Sequence, residues 1–485
     1  YNHTTANKNV AVGDQALQLL TTGNQNVSIG MRASQYNIVG SNTVVIGNEA
    51  GRYATGSLNT FVGANAGRGG TQTAPYSSGG SNTAVGYYAL GNFTTGHENT
   101  VMGYQAAYSL TTADNNVVIG YQTGYSLTTA RYNVLIGDSA GRSLTSTSDN
   151  NENVMIGNSA GRNADAATVA ARYNVYVGSG AGYYMDDGDS NVYIGREAGK
   201  GSGTDNNATK HVIIGYQAGT SISTGDGNVL LGWQAGDAIT TRSGVIAIGL
   251  GAAGGISTTG NYSIAIGWGA LGGAQIGDGN IAIGYQSMQN ANSSALHRNT
   301  AVGYQTMANI GSNGPDDMTA LGYRALQSVT TGGGNTAVGS FALGQRTTGF
   351  YNVAVGKNAL SGSAIGNYSV AVGVDAMKAG ASGSDNIAIG YQALLNDQSK
   401  ENVAIGSKAL YTHYGLNNGF RGRNVAIGHE AMYYATTADR SVAIGYQAGY
   451  KKKVNGGSVF IGNAAGYNEI SGSANTAVGG AAGFG

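Results

Sequence analysis

The stretch Asn9-Val10-Ala11-Val12-Gly13 decides the fold of this 485-residue chain, because close variants of it recur as far as the C-terminus. Its glycine has 26 later equivalents, ending at Gly479, and 16 of the 26 intervals between successive glycines are 17 residues long. We call each of these glycines an anchor and the repeat around it a coil, and we number positions from the anchor. A fixed period of this length is typical of solenoids, in which each repeat packs on its neighbours. The sequence therefore predicts 27 stacked coils.

The residues before the anchor predict a short strand. Position −3 is Val, Ile or Thr in all 27 coils, and position −1 is always Val, Ile, Leu or Met. Residues two apart share one face of a strand, so we expect these two positions to point into the solenoid and position −2 to point outward. Position +3 is Ala in 24 of the 27 coils, which indicates a narrow interior. The predicted fold is an all-β parallel β-solenoid (β-roll) of about 27 coils with a period of mostly 17 residues.

Two positions change size in opposite directions along the chain. Position −2 is usually large in the first half but is Ala in twelve consecutive coils from Ala247 to Ala443. Position +4 is mostly Gly in the first half but is Leu or Met in ten coils from Leu271 to Met432. Such exchange indicates one shared, close-packed space, which we place in a lateral interface between chains. The predicted interface residues are Phe61, Tyr176, Tyr193, Ala337 and Leu343.

The same exchange divides the chain into a segment 1–246 with large residues at position −2 and a segment 247–485 with Ala there, which we expect to form one continuous rod. Lys plus Arg and Asp plus Glu balance at 25 each, which disfavours nucleic acid as a partner. No apolar stretch is long enough to cross a membrane as a helix. The sequence opens at Tyr1 without Met or a signal peptide, so we expect a processed or truncated piece of a longer protein.

The iterated core Asn-(Val/Ile)-Ala-Ile-Gly at 386–390, 402–406 and 424–428 resembles the head repeats of YadA-like trimeric autotransporter adhesins. The runs at 299–307 and 335–343 carry the same resemblance, which also extends to repeat arrays of bacteriophage tail-fibre proteins. The resemblance covers essentially the whole chain, although the 17-residue coil is longer than the usual repeat of the adhesins. It implies a left-handed parallel β-roll, three parallel chains and attachment to a host or surface.

Two segments match the pattern of a nucleophilic serine in a tight turn, Gly137-Asp138-Ser139-Ala140-Gly141 and Gly157-Asn158-Ser159-Ala160-Gly161. Each begins at an anchor and has the usual Ala at position +3, so we interpret both as parts of the repeat and predict no catalytic residue. Asp186-Asp187-Gly188-Asp189 suits either a loop that binds Ca²⁺ or a solvated turn. The six His residues lack the paired spacing of metal ligands. We therefore predict neither a metal nor a cofactor.

Binding residues are expected on loops, because a rigid scaffold presents its recognition groups there. The longest insertions lie at 68–81, 162–173, 200–210 and 411–423. The last combines aromatic rings with hydrogen-bond donors, and its candidate ligand-binding residues are Tyr411, His413, Tyr414, Phe420, Arg421 and Arg423. Tyr or Trp also follows the anchor in eleven coils, which suits either a sugar-binding row or a stacked rib that stabilises the fold.

These features favour a non-enzymatic structural fibre, extracellular, on a cell surface or on a virion tail, that presents adhesive surface or loops. Its expected partners are further copies of itself, as a homo-oligomer and in particular a parallel homotrimer, and a cell-surface glycan or protein. Two other classes stay open. Thr-Thr turns such as Thr21-Thr22 suit an ice- or surface-binding solenoid, and β-solenoids also include enzymes that act on polysaccharides.

Overall fold

The computed structural model consists of short strands joined by turns. It describes residues 5–145, 151–163, 171–185, 188–203, 206–255, 260–273, 275–290, 292–293, 296–311, 315–329, 331–345, 348–362, 366–379, 383–396, 399–412, 422–453 and 456–484. Over these ranges every strand pair is parallel, and no residue is helical. The chain forms two compact units, Tyr1–Gly244 and Val245–Gly485. No helix in the described ranges is long and apolar enough to span a membrane.

The first unit has 13 strands of three residues, each immediately before an anchor. They are β1 Val10–Val12, β2 Val27–Ile29, β3 Val44–Ile46, β4 Thr60–Val62, β5 Thr83–Val85, β6 Thr100–Met102, β7 Val117–Ile119, β8 Val134–Ile136, β9 Val154–Ile156, β10 Val175–Val177, β11 Val192–Ile194, β12 Val212–Ile214 and β13 Val229–Leu231. Each strand pairs with the next in exact repeat register, as where Val44 lies beside Thr60.

The second unit repeats this arrangement with 14 three-residue strands and four shorter ones. They are β14 Ile246–Ile248, β15 Ile264–Ile266, β16 Gln275–Ile276, β17 Ile281–Ile283, β18 Asn292–Ser293, β19 Thr300–Val302, β20 Asn309–Ile310, β21 Thr319–Leu321, β22 Ser328–Val329, β23 Thr336–Val338, β24 Val353–Val355, β25 Val370–Val372, β26 Ile387–Ile389, β27 Val403–Ile405, β28 Val425–Ile427, β29 Val442–Ile444, β30 Val459–Ile461 and β31 Thr476–Val478. The two-residue strands pair separately, β16 with β18 and β20 with β22. The predicted all-β parallel solenoid is thus confirmed.

The anchor must be glycine for two reasons. Its φ lies between 125° and 143° in every coil, a range that side chains oppose. A Cβ on Gly13 would also lie 2.5 Å from the carbonyl oxygen of Gly30, the next anchor, and the same close approach recurs along each unit. The anchors therefore stack backbone on backbone, which brings successive strands into pairing distance.

The central residue of each strand points inward, so the predicted orientation of the strands is wrong. Phe61 in β4 has no exposed surface, whereas Val44 and Ile46 at the ends of β3 are each 38% exposed. The same pattern of a buried centre between more exposed ends holds in every three-residue strand except β1 and β31. A three-residue strand has one inward side chain, and that side chain is at position −2.

The exchange of size between positions −2 and +4 takes place inside the coil. A Cβ on Gly182 would lie 2.7 Å from the ring of Tyr176, and a Cβ on Gly199 would lie 2.6 Å from the ring of Tyr193. The inference of one shared space is therefore right, but the lateral interface drawn from it needs correction. All five predicted interface residues have fully buried side chains within the single chain, namely Phe61, Tyr176, Tyr193, Ala337 and Leu343.

The coil of Gly445 has small residues at both exchanging positions, Ala443 and Gly449. The structure shows what occupies the space. Phe460 is at position −2 of the following coil. A Cβ on Gly449 would come within 2.9 Å of its ring, so the ring occupies this space. Phe460 also lies against Gly466 of its own coil. The interior is therefore filled between neighbouring coils as well as within each coil.

Buried asparagines at position −4 hydrogen-bond from coil to coil. The Oδ1 atom of Asn116 accepts the backbone N–H of Asn133 at 3.0 Å and its Nδ2–H at 3.1 Å. The Nδ2 atom of Asn116 donates to Oδ1 of Asn99 and to the carbonyl of Ala130, both at 3.0 Å. These bonds satisfy backbone groups at the turn that would otherwise be buried without partners.

Candidate functional site

The outer face of the strands is the most extensive candidate interaction surface in each unit. It is formed by positions −3 and −1, which carry only Val, Ile, Leu, Met or Thr. These side chains are intermediate or exposed throughout, for example Val212 and Ile214 in β12 and Ile387 and Ile389 in β26. We call this surface the outer strand face. Contiguous exposed apolar surface of this kind is characteristic of protein interaction sites, because monomers rarely leave it uncovered.

Aromatic residues at position +1 form stacked rows. The ring centroids of Tyr87 and Tyr104 are 5.3 Å apart, and those of Tyr104 and Tyr121 are 5.2 Å apart at 10° between planes. In the second unit Tyr285 stacks on Tyr304 at 4.8 Å. Rings stacked in this way cover one another's faces and present their edges to solvent. Because sugars stack on the faces of aromatic rings, the geometry favours a stabilising rib over a continuous sugar-binding row.

The predicted ligand loop at 411–423 lies mostly outside the described residues. His413, Tyr414, Phe420 and Arg421 fall in the range that the structure does not describe. Tyr411 stacks on Tyr433 with centroids 4.8 Å apart, and Arg423 pairs with Glu401 through an Nε to Oε2 distance of 3.0 Å. The two described members of the set therefore contact neighbouring coils.

Tyr411 begins a row of five stacked rings at position +5. The row continues through Tyr433, Tyr450, Tyr467 and Phe484, with successive centroids 4.8, 5.3, 4.9 and 5.1 Å apart. Burial, together with the negative charge of Glu430 and the neighbouring tyrosines, raises the pKa of Tyr450 to about 12. The stacked rings thus join five successive coils as one aromatic rib.

The insertion at 68–81 forms one side of a groove that the sequence analysis did not predict. The groove has a volume of about 480 Å³ and lies between the insertion residues Pro75 and Tyr76 and turn residues of other coils that include Thr55, Thr94 and Thr95. The ring of Tyr76 fixes the insertion, because it packs on Tyr36 with centroids 4.9 Å apart. In the sequence, only the single tyrosine of this long insertion points to such a contact. The sequence does not indicate that the partner of this tyrosine is Tyr36.

A carboxylate surrounded by three arginines lies on the same unit. Glu49 contacts Arg32 at 3.1 Å, Arg52 at 3.0 Å and Arg68 at 3.3 Å. Burial opposes ionisation of Glu49, but the arginines outweigh that effect and lower its pKa. Arg52 and Arg68 also lie over the ring of Tyr53, at 4.9 and 5.3 Å from its centroid. The cluster joins neighbouring coils and carries a net positive charge.

The two serines in motifs that resemble nucleophile turns occupy position +2. Ser139 donates a hydrogen bond of 2.7 Å to Oδ1 of Asp138, and both serines have a left-handed backbone, with φ of 56° and 55°. Position +2 has this conformation in most coils, where Gln, Arg or Glu often occupies it. The serine motifs therefore follow from the geometry of the repeat.

Metal-binding groups are not evident in the part of the chain that the structure describes. No cluster of three or more His, Asp or Glu side chains there could hold an ion. Asp186 and Asp187 of the candidate Ca²⁺ loop lie outside the described residues. The two alternatives for this loop, Ca²⁺ binding and a solvated turn, thus both stay untested.

Comparison with known proteins places the chain in no family. No protein-family model matches it, and no curated protein matches it.

Proposed function

We propose that this protein is a structural fibre, located outside the cell or on a virion tail, that attaches to a cell surface. The outer strand face is the observation that carries this proposal. A surface that is uncharged in every coil and exposed along both units suits a chain that is covered by further copies of itself. A globular protein without partners would place charged residues there.

Self-association through the outer strand face agrees with the three parallel chains that the resemblance to YadA-like heads implies. Identical chains in parallel register bring equivalent Val and Ile rows together around a common axis. Parallel in-register coils suit this arrangement, since each coil presents the same side chains at nearly the same spacing. The assembly proposed here uses positions −3 and −1, whereas position −2 fills the interior of each chain.

Attachment is assigned to the surfaces that interrupt the regular repeat. The groove beneath the insertion at 68–81 combines an apolar wall with threonine hydroxyls, and the Glu49 cluster adds cationic groups on the same unit. Features of this kind, held on a rigid scaffold, are suited to recognising a cell-surface glycan or protein.

Two measurements test the proposal. Light scattering of the purified chain should give a mass of about three times 48.9 kDa. Fluorescently labelled chain should be retained on whole bacterial or animal cells, whereas chain unfolded by heat before mixing should not be retained. A monomer at every concentration together with no retention on any cell type would contradict the proposal.

A further inference from the structure

The side chains at position +2 commonly form a hydrogen-bonded row. This row lies beside the stacked aromatic rings at position +1 and covers the surface there. Nε2 of Gln122 donates to Oε1 of Gln105 at 3.0 Å, and Nε2 of Gln234 donates to Oε1 of Gln217 at 3.1 Å. Gln217 in turn donates to Oε2 of Glu197 at 2.8 Å. Where these long side chains lie against each other, the surface between positions +2 and +5 is covered.

In three successive coils of the first unit, those of Gly137, Gly157 and Gly178, positions +1 and +2 both carry short polar side chains or Gly. In the coils of Gly157 and Gly178, position +1 carries Asn158 and Ser179, and position +2 carries Ser159 and Gly180. The short side chains leave a cavity of about 320 Å³. This volume is at the lower end of the range of ligand pockets, about 300–1,000 Å³. Asn158, Ser159, Ser179 and Gly180 all line this cavity.

Gly180 is not required by the fold. Its φ of 67° is close to that of non-glycine residues at the same position, such as 53° for Gln217. A Cβ on Gly180 would meet only Cγ of Glu197, at an ordinary contact distance of 3.5 Å. The anchor glycines, in contrast, have no room for a side chain. The absent side chain at 180 therefore opens the cavity without serving the packing.

The opposite wall is aromatic and cationic. Tyr183 and Tyr184 meet at an angle of 66° with centroids 4.5 Å apart, and Arg162 donates to Oη of Tyr183 at 3.1 Å. Lys200 and Arg196 line the cavity, and Glu197 is the one acid among the described residues that line it. The Glu197 carboxylate is occupied by Gln217 at 2.8 Å and Lys200 at 3.5 Å, and these contacts lower its pKa.

The residues that line the cavity carry a net positive charge, whereas the first unit as a whole does not. Two cations and one anion line it, and Arg162 adds a third cation at its edge. The first unit as a whole has 12 Lys and Arg residues against 15 Asp and Glu residues. Asp138 lies on the preceding coil, outside the lining, and accepts a hydrogen bond from Ser139. The charges that line the cavity therefore favour an anionic ligand.

We propose that the cavity around Gly180 binds a sugar that carries a carboxylate, as part of an acidic polysaccharide on the surface to which the protein attaches. Arg196 and Lys200 would pair with the carboxylate, Asn158, Ser159 and Ser179 would hydrogen-bond to hydroxyl groups, and Tyr183 or Tyr184 would contact the sugar ring. This inference rests on the proposed function as an attachment fibre and assigns one ligand class to one site.

The test fills the cavity with the side chain that other coils have at this position. Gly180→Gln should restore the row beside Glu197, and Gly269→Gln is its matched control. Gly269 also occupies position +2, has φ of 62°, and its Cβ would meet only the side chains of Gln286 and Gln289, at 3.8 and 3.7 Å. Both variants should melt at the temperature of the wild-type protein.

Binding is measured by titration calorimetry with tetragalacturonate, a hyaluronan hexasaccharide and sialyllactose, and with maltotetraose as the neutral probe. The wild-type protein and Gly269→Gln should bind at least one acidic probe in preference to maltotetraose, and Gly180→Gln should weaken that binding at least about tenfold. Lys200→Gln should weaken it in the same direction. The site is wrong if no acidic probe binds at millimolar concentration, if maltotetraose binds as well, or if Gly180→Gln binds undiminished.

Retention of the labelled variants on whole cells separates the two proposals. If the wild-type protein and Gly180→Gln are retained equally, the site is wrong and the attachment function stands. If Gly180→Gln alone loses retention, the cavity is the attachment site. If the wild-type protein is retained on no cell type although it binds an acidic probe, the cavity is supported and the attachment function is not.

Discussion

The ring of Tyr176 lies against the backbone of Gly182, six residues later, so closely that a Cβ on the glycine would come within 2.7 Å of ring atoms Cδ2 and Cε2. Both residues are in the interior of the same coil. The second unit fills the equivalent space in the opposite way, with Ala337 at position −2 and Leu343 at position +4, both fully buried. Either combination fills the coil, and two large side chains together would not fit.

Ala337→Leu should therefore destabilise the fold. It adds three carbons to a filled interior, and overpacking of this kind costs about 1–3 kcal/mol of unfolding free energy. Adding Leu343→Gly should recover part of that loss, because glycine accepts the φ of 48° at this position and frees the space. Chemical denaturation of the two single variants and the double variant measures the coupling.

Val338→Leu is the matched control, since Val338 is next in the chain but lies on the outer strand face. It should change the unfolding free energy little. Additive effects of Ala337→Leu and Leu343→Gly, or an equal cost for Val338→Leu, would contradict the internal packing described here.

The alternation of Val and Ile correctly predicted which residues share a face, but it could not predict which face is inside. In a strand of three residues, such as β4, the alternation allows either one or two inward side chains. The constant Val, Ile, Leu, Met or Thr residues at positions −3 and −1 suggested the second choice, whereas Phe61 at the centre of β4 is the buried residue. The better signal was the exchange of size between positions −2 and +4, because only residues in contact need to compensate for each other's volume.

Contacts between different coils were beyond the reach of the repeat pattern. Phe460 fills the space beside Gly449, and Tyr76 packs on Tyr36 across 40 positions of sequence. Comparing positions within one coil does not reveal such partners. The cavity at Gly180 was also missed, although its signal is visible in the sequence as simultaneous small residues at positions +1 and +2.

Asn116→Ala should destabilise the first unit by about 1–3 kcal/mol, because it leaves buried backbone groups that follow it in the chain without partners. The Ala130 carbonyl loses its donor, and the backbone N–H of Asn133 loses its acceptor. Thermal unfolding followed by circular dichroism measures the effect. Asn48→Ala is the control, since Asn48 is exposed at position +1 and should be replaceable without cost. Equal melting temperatures for the two variants would refute a stabilising role of the asparagine row.

His211 occupies the asparagine position of its coil and should make the first unit sensitive to acid. Its Nε2 donates to the carbonyl of Gly225 at 2.6 Å, and its Nδ1 accepts the N–H of Asn228 at 2.9 Å, so the ring is neutral. Burial lowers the pKa of His211 to about 4, although its hydrogen-bond partners and Asp226 act in the opposite direction. Protonation of Nδ1 would place its N–H against the backbone N–H of Asn228, so that two hydrogen-bond donors would face each other.

The folded state thus resists protonation, whereas an unfolded His211 takes up a proton near its ordinary pKa of about 6.5. Above about pH 6.5, the neutral ring makes its full contribution to the free energy of unfolding. This contribution falls as the pH drops from about 6.5 to about 4 and is absent below about pH 4, a total loss of roughly 3 kcal/mol. His211→Asn restores the usual residue and should remove this part of the pH dependence. Parallel slopes of unfolding free energy against pH for the two proteins would show that His211 does not contribute.

Charge on the outer strand face should prevent self-association without unfolding the chain. Ile387 and Ile389 in β26 are 37% and 39% exposed, so lysines at both positions can reach solvent in a single chain. In an assembly, the same lysines would be buried against identical charges, which is strongly unfavourable. We expect the double lysine variant to keep its β-sheet circular dichroism spectrum and to have a lower mass by light scattering.

Val374→Lys provides the matched control for that experiment. Val374 is 44% exposed and apolar, but it follows an anchor and therefore lies off the outer strand face. It should leave the mass of the assembly unchanged, because the new charge stays in solvent. If Val374→Lys dissociates the assembly and the double variant of β26 does not, the chains associate through the turn side of the coils, and the outer strand face needs another explanation.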